Sequence, residues 1–197
     1  MLAELFLGKQ LEPFLYPLIP IPRTAVLVPW FGEPRGAIGL RSAYSPDVSI
    51  RLFPRGWCAE AESFTPASIA ATVPQLVELG QAAFGRPTPK LTHAVVVLAR
   101  PGDAALAEGQ RDWLWRKFRV PVFEQIIGSK GETIATECEA HDGMHVGMHV
   151  GTGITALEAL LKGETVEESP CACGRRSPRI RVPKGAVLEH RVAAWAR

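Results

Sequence analysis

Apolar residues fall in short blocks along the first two thirds of the chain, and each block has a length that suits one strand. The clearest is the unbroken run at 94–98, Ala-Val-Val-Val-Leu, which is typical of a strand buried on both faces of a parallel sheet. Shorter blocks of strand character lie at 24–29 and 120–123, and further candidates lie at 36–41 and 48–53. The pattern therefore predicts several strands before residue 131.

Helical spacing occurs twice between these blocks. Thr65 and Pro66 are typical of a helix start, with a hydroxyl cap and a proline in the first turn, and Gly85 can end that helix. Pro74 interrupts the pattern, so we expect a kink or a break there. A second helix is predicted over 103–118. The residues expected to face the core are Ile69, Val73, Leu76, Val77 and Phe84 in the first helix, and Leu106, Trp113, Leu114 and Phe118 in the second.

The order helix, buried strand, helix and strand predicts an α/β fold with a parallel sheet. After residue 131 the pattern changes to short alternating segments. We therefore divide the chain into an N-terminal arm at 1–23, an α/β layer at 24–131 and a β-rich part at 132–197, packed as one compact unit. The β-rich part contains strand candidates at 133–138, 144–150, 179–182 and 186–192, a short helix at 153–162 and an acidic, exposed stretch at 163–170.

Composition describes an ordinary globular chain. Of 197 residues, 47% are hydrophobic and 21% are charged, which excludes a disordered polar chain. The net charge of +2 does not favour nucleic acid binding, and the nearest basic cluster, Arg175, Arg176 and Arg179, is expected to be a solvated loop. No stretch reaches the roughly 20 uninterrupted apolar residues of a membrane helix. The N-terminus lacks the features of a secretory signal, so we expect a cytoplasmic protein with no membrane partner.

Three of the four cysteines form two short clusters, Cys138 followed by His141, and Cys171 followed by Cys173. Thiolate sulfur and imidazole nitrogen are the ligands that tetrahedral zinc prefers, and two short ligand pairs separated by a longer segment are typical of a structural site. Catalytic zinc instead keeps an open position for water. The sequence thus predicts structural zinc. The fourth cysteine, Cys58, is expected to be a buried apolar side chain.

Three histidines compete for the fourth ligand position. If residues 144–150 form a strand, His145 and His149 lie on one face about 13 Å apart at roughly 3.3 Å per residue, so at most one of them can bind the ion. His141 forms a compact Cys-x-x-His pair with Cys138. It is therefore our first choice, and His145 is the second.

Two segments carry a family resemblance. The sequence Phe118-Arg-Val-Pro-Val-Phe-Glu-Gln125, followed by Gly128-Ser129 and by Glu137-Cys-Glu-Ala-His-Asp-Gly-Met-His-Val146, resembles the phenylacetate-CoA ligase branch of the adenylate-forming enzymes. The segment Cys171-Ala-Cys-Gly-Arg-Arg-Ser-Pro-Arg-Ile180 is similar to that branch's Cys-x-Cys-Gly-Arg segment. The resemblance covers about residues 118–182. It implies part of the family's central α/β subdomain with a zinc-bound β-rich part, and it supports Cys138, His141, Cys171 and Cys173 as the zinc ligands.

The nucleotide-binding motifs of that family depart from this sequence. The family's Tyr-Gly-Ser/Thr-Thr/Ser-Glu motif helps to hold adenylate and magnesium, whereas residues 127–132 here read Ile-Gly-Ser-Lys-Gly-Glu. The segment 151–170 contains nothing like the family's ribose-binding Arg-Tyr-Arg-Thr-Gly-Asp sequence, and we find no phosphate loop and no lid lysine. Without these groups an enzyme cannot position ATP or stabilise the developing charge.

We therefore expect a shortened, degenerate relative, a pseudoenzyme that acts as a zinc-stabilised binding or accessory protein without catalytic residues. Its expected partners are a second copy of the chain or a ligase-like protein. The alternative is a minimal ligase-like enzyme or subunit that acts on an aryl acid, an acyl-adenylate or an acyl-CoA.

Overall fold

The structure, a computed structural model, describes residues 22–27, 50–81, 88–101, 103–128, 133–146, 165–167, 169–175 and 177–181. Within these ranges nine strands form one sheet, and three helices lie between the strands. In chain order the elements are β1 (Thr24–Leu27), β2 (Ile50–Phe53), α1 (Ala59–Ser63), β3 (Ser68–Ala71), α2 (Val73–Gly80), β4 (Ala94–Ala99), α3 (Glu108–Phe118), β5 (Val122–Ile127), β6 (Thr133–Glu137), β7 (Met144–Val146), β8 (Thr165–Glu167) and β9 (Arg179–Arg181).

The sheet has a parallel half and an antiparallel half. Its strand order is β2-β1-β3-β4-β5-β6-β7-β9-β8. The pairs β2–β1, β1–β3, β3–β4 and β4–β5 are parallel. The pairs β5–β6, β6–β7, β7–β9 and β9–β8 are antiparallel. The predicted change of character near residue 131 thus coincides with a change of strand direction, while Gln125 of β5 still pairs with Thr136 of β6. A mixed α/β sheet with a β-rich C-terminal side is confirmed.

One apolar core explains why the central strands have no polar face. Alternate residues of β1, β3 and β4 pack against all three helices, so the helices cover one face of the parallel half. The residues between them, such as Val26, Ala70 and Val96, are also buried. This double burial is the reason for the unbroken apolar run at 94–98. The core side chains include Ala25, Leu27, Ile69, Ala71, Val95 and Val97 from the strands, Ala61, Leu76, Leu114 and Phe118 from the helices, and Phe64 directly after α1.

The helix predicted from Thr65 to Gly85 is wrong in its first half. Residues 68–71 form β3, which pairs with β1 on one side and β4 on the other, and helix α2 begins only after Thr72. The backbone N–H of Thr72 donates to Gln75 Oε1 at 3.1 Å, which caps the new start. Pro74 therefore lies in the first turn, where proline is tolerated, instead of causing a kink.

The second helix is confirmed, although α3 begins at Glu108 rather than near residue 103. Leu114 and Phe118 are buried, and Leu106 and Trp113 pack against the core from the side. Helix α3 contacts α2 closely enough that a Cβ atom on Gly80 would lie 2.6 Å from Trp113 Cη2. The pair of helices is therefore tightly packed at this point.

Several other expectations concern residues outside the described ranges. These are most of the arm at 1–23, the strands at 36–41 and 186–192, and the helix at 153–162. The stretch 163–170, expected to be exposed, contains strand β8. Among the described helices, none has both the length and the apolarity to cross a membrane.

Candidate metal centre

Four side chains converge where β6, β7 and β9 lie side by side. They are Cys138, which follows β6, His145 in the middle of β7, and Cys171 and Cys173 in the turn before β9. One donor atom from each lies within 4.8 Å of the donor atoms of the other three. Cys138, His145 and Cys171 are buried, and Cys173 is half-buried. We call these four residues the ligand group.

Strand pairing and two glycine turns bring the ligand group together. β6 and β7 form an antiparallel pair in which Thr136 faces His145. The short turn between the two strands therefore brings His145 back toward Cys138. That turn contains Gly143 at φ +84°, a conformation that glycine adopts without strain. β9 pairs with β7, and the Gly174 N–H donates to the Cys171 carbonyl at 2.9 Å to close the second turn. Both cysteines of that turn are thereby placed next to His145.

Two distances within the ligand group match a tetrahedral zinc ion. Cys138 Sγ and Cys171 Sγ are 3.7 Å apart, and Cys173 Sγ lies 3.4 Å from His145 Nε2. Zn–S bonds of about 2.3 Å and Zn–N bonds of about 2.0–2.1 Å at tetrahedral angles place two sulfurs about 3.8 Å apart and a sulfur and a nitrogen about 3.6 Å apart. A disulfide would require about 2.05 Å between sulfurs, and all four cysteines are free. The donor set and its spacing therefore fit zinc.

His145 is held with one ring nitrogen toward the cysteines. Its Nδ1 lies 2.9 Å from Ser177 Oγ, and its Nε2 is the nitrogen next to Cys173. Burial lowers the pKa of His145, and the positive charges of Arg175 and Arg179 lower it further, although Ser177 and Asp142 act in the opposite direction. A neutral imidazole fixed through Nδ1 presents the Nε2 lone pair, which is the form that binds metal.

His141, our first choice for the fourth ligand, is not in the ligand group. Its ring stacks on Phe123 with centroids 5.0 Å apart and planes at 5°, and its Nδ1 lies 3.2 Å from Glu137 Oε1. The side chain is 44% exposed. The backbone of His141 is left-handed at φ +48°, and the residue lies in the turn before β7. The structure thus brings the second choice, His145, to the three cysteines and does not bring His141 there, while His149 lies outside the described residues.

The thiols of the ligand group differ in acidity when no metal is bound. Burial raises the pKa of Cys138 to about 12, despite a hydrogen bond from the Ala140 backbone. Burial also acts to raise the pKa of Cys171, but hydrogen bonds from Cys173 and Cys138 and the charge of Arg179 outweigh it, and the net pKa is lowered. A metal ion must therefore displace a tightly held proton from Cys138.

A buried ion pair next to the ligand group was missed by the sequence reasoning. Arg111 of α3 donates from both terminal nitrogens to the Glu137 carboxylate, at 3.0 and 3.1 Å, and the backbone N–H of Glu124 donates to the same carboxylate at 2.8 Å. The Glu137 carboxylate also lies 3.2 Å from His141 Nδ1, so the residue before Cys138 is held from several directions. Glu137 directly before Cys138, at the end of a predicted strand, was the available signal.

The arginine cluster is not a solvated loop. Arg179 is 2% exposed and Arg175 is half-buried, while Arg176 lies outside the described residues. Cys58 is half-buried, packs against the apolar core and is not part of the ligand group.

Comparison with known proteins shows a known type of fold. No family model matches the chain, and no curated protein matches it in sequence. Among solved structures, the chain is similar to 2-hydroxyisobutyryl-CoA ligase in an open conformation, in complex with 2-HIB-AMP and CoA, with a TM-score of 0.53 and 14% identity. The match covers 81% of this chain but only 44% of that ligase. The likeness shows a ligase-like fold, in agreement with the resemblance to adenylate-forming enzymes at the level of fold, and this chain spans less than half of the ligase.

Proposed function

We propose that this chain is a zinc-stabilised accessory or binding protein built on part of an adenylate-forming ligase fold, without adenylate-forming activity of its own. The observation that carries the proposal is the closed ligand group of three cysteines and one histidine. Four protein donors within 4.8 Å of one another can fill all four positions of a tetrahedral zinc ion and leave none for water or substrate, which is the arrangement of structural zinc sites.

Within this proposal the ligand group holds the antiparallel half of the sheet together. Cys138 and His145 come from the β6–β7 pair, and Cys171 and Cys173 come from a turn more than twenty residues further along the chain. Zinc supplies a cross-link between these segments when bound, and the binding free energy of such a site contributes to folding. Ser177 supports the site by fixing the ring of His145.

The sequence supports the proposed absence of adenylate-forming activity. The residues at 127–132 do not match the family motif that holds adenylate and magnesium, and no segment matches the ribose-binding sequence. The proposed partners are a second copy of the chain or a separate ligase-like protein that supplies the missing nucleotide-binding elements.

Zinc content tests the metal part of the proposal. We expect one zinc per chain in the purified protein by plasma mass spectrometry, and loss of that zinc with a lower melting temperature in Cys171→Ser. The matched control is Cys58→Ser, which removes a free cysteine outside the ligand group and should keep its zinc. Equal zinc content and equal melting in wild type and Cys171→Ser would reject the structural zinc site.

Calorimetry tests the non-catalytic part. Titration of the zinc-loaded protein with ATP, AMP and an aromatic acyl-CoA should give no heat of binding in the nanomolar to micromolar range. Tight nucleotide binding would favour the alternative of a minimal ligase-like enzyme. Light scattering of the purified chain distinguishes a homodimer from a monomer that needs a partner.

A further inference from the structure

Arg179 is a buried arginine placed directly beside the ligand group. It lies in β9 opposite His145 of β7, and only 2% of its surface is exposed. A buried guanidinium is costly unless its charge and its donors are satisfied, so its surroundings indicate what it is for.

Its two terminal nitrogens bridge the segments that carry the ligands. Nη1 donates to the Asp142 carbonyl at 3.1 Å and to the Asp142 carboxylate, and Asp142 lies in the turn between Cys138 and His145. Nη2 donates to the Ser169 carbonyl at 3.3 Å and to Ser169 Oγ at 3.1 Å, just before Cys171. One side chain therefore fixes the distance between the two halves of the ligand group.

The third nitrogen of the guanidinium has a different environment. Arg179 Nε is buried and has no hydrogen-bond partner among the described residues. A buried donor without an acceptor costs about 1–3 kcal/mol in general, and Nε is the one donor of this guanidinium that the described residues leave unused. The positive charge of Arg179 already acts on Cys171 and on His145.

The charge of the ligand group gives Arg179 a second, electrostatic role. Three thiolates, one neutral imidazole and a divalent ion carry a net charge of −1, and Cys138, His145 and Cys171 are buried. The carboxylates that also pair with Arg179 are more exposed than the guanidinium, with 37% for Asp142 and 33% for Glu167. Both of these side chains are partly in contact with water, although the Glu167 Oε2 atom itself is buried, whereas the buried thiolates depend on charges within the protein.

We propose that Arg179 is the positioning residue of the metal centre, which fixes its two ligand-bearing segments and compensates the negative charge of the metal-bound thiolates. The inference rests on the proposed metal site and adds to it the residue that determines how tightly the site holds its metal. It predicts that Arg179 affects metal binding through its positive charge as well as through the hydrogen bonds of its planar guanidinium.

Cobalt substitution tests both contributions, with Co²⁺ alone as the probe. In Arg179→Gln the thiolate-to-cobalt charge-transfer band should move to longer wavelength, because an uncompensated thiolate gives up an electron more readily. Release of Co²⁺ to a chelator should be about 10- to 100-fold faster, the usual effect of removing a partner of a metal ligand. The control is Arg116→Gln, which removes an arginine whose ion pair with Asp112 is exposed on α3 and should leave the band and the release rate unchanged.

Arg179→Lys separates the effect of the positive charge from that of the bridging hydrogen bonds. It also tests the inference if Arg179→Gln does not fold. Lysine keeps the positive charge but cannot bridge Asp142 and Ser169 with a planar fork, so we expect a band close to that of wild type and faster release. Wild-type spectrum and wild-type release in the folded Arg179 variants would overturn the inference. Failure of the wild-type protein to bind Co²⁺ or Zn²⁺ would instead overturn the proposed metal site itself.

Discussion

His145 and Arg179 occupy directly opposite positions on the neighbouring antiparallel strands β7 and β9, and both side chains are buried. This pairing continues across the sheet on both sides. On one side His145 faces Thr136 of β6, which faces Gln125 of β5. On the other side Arg179 faces Glu167 of β8. Residues directly opposite each other lie on the same face of a sheet. Five strands thus contribute one polar residue each to a single row, at the place where the ligand group lies.

His145 should be required for metal binding and His141 should not. His145→Ala removes a donor of the ligand group, so we expect at least a 10-fold loss of zinc affinity in competition with a chromophoric chelator. His141→Ala removes a ring that stacks on Phe123 and should keep wild-type affinity. The reverse result would restore His141 as the fourth ligand.

Zinc affinity should increase as the pH rises from about 6 to about 8. Burial raises the pKa of Cys138 to about 12, so the metal-free protein keeps this proton over the whole range and must release it to bind zinc. Release of at least this one proton per site makes the affinity increase at least about tenfold per pH unit. Chelator competition at several pH values measures the slope. An affinity that does not change with pH, after correction for the chelator, would contradict a protonated Cys138.

A methyl group added at Gly80, where α2 contacts α3, should destabilise the protein. A Cβ atom there would lie 2.6 Å from Trp113 Cη2, and Trp113 is packed against the core, so Gly80→Ala should destabilise the fold by about 1–3 kcal/mol in chemical denaturation. Gly109→Ala is the matched control, because no atom lies within 4 Å of the added Cβ in α3. It should stabilise the protein by about 0.4–1 kcal/mol. Equal stability of the two variants would show that α2 and α3 can move apart.

Two arginines of α3 should differ in their effect on stability. Arg111 forms a two-pronged pair with buried Glu137, and its removal leaves that carboxylate without its cation, so Arg111→Ala should cost about 2 kcal/mol. Arg116 pairs with Asp112 at an exposed position, and Arg116→Ala should change stability by less than about 0.5 kcal/mol. Urea unfolding of both variants measures the difference, and a cost for Arg116→Ala as large as that for Arg111→Ala would contradict it.

The sequence predicts most reliably the elements whose pattern depends on local burial. The run at 94–98 indicates a doubly buried strand because its position in the centre of the sheet leaves no room for polar side chains, and β4 confirms it. Helix α3 is recognisable for the same kind of reason, since Leu114 and Phe118 recur on one face.

The errors concern long-range pairing. The segment Ser-Ile-Ala-Ala at 68–71 is short and compatible with helix or strand, and only its position between β1 and β4 decides for strand. The fourth ligand was uncertain for the same reason. Spacing along the chain favours His141, whereas the β6–β7 register and the left-handed turn at His141 bring His145 to the cysteines.

The change of strand direction at β5 has a consequence for how the chain folds. In the parallel half β1 pairs with residues 50–53 and 68–71, so its contacts close long loops, whereas β6 and β7 are adjacent in sequence and pair directly. Contacts between residues near in sequence form faster than contacts that close long loops. We therefore expect pulse-labelling hydrogen exchange during refolding to protect the amides of β6 and β7 before those of β1, and simultaneous protection would contradict this order. Half of the ligand group would then be assembled before the parallel sheet is complete.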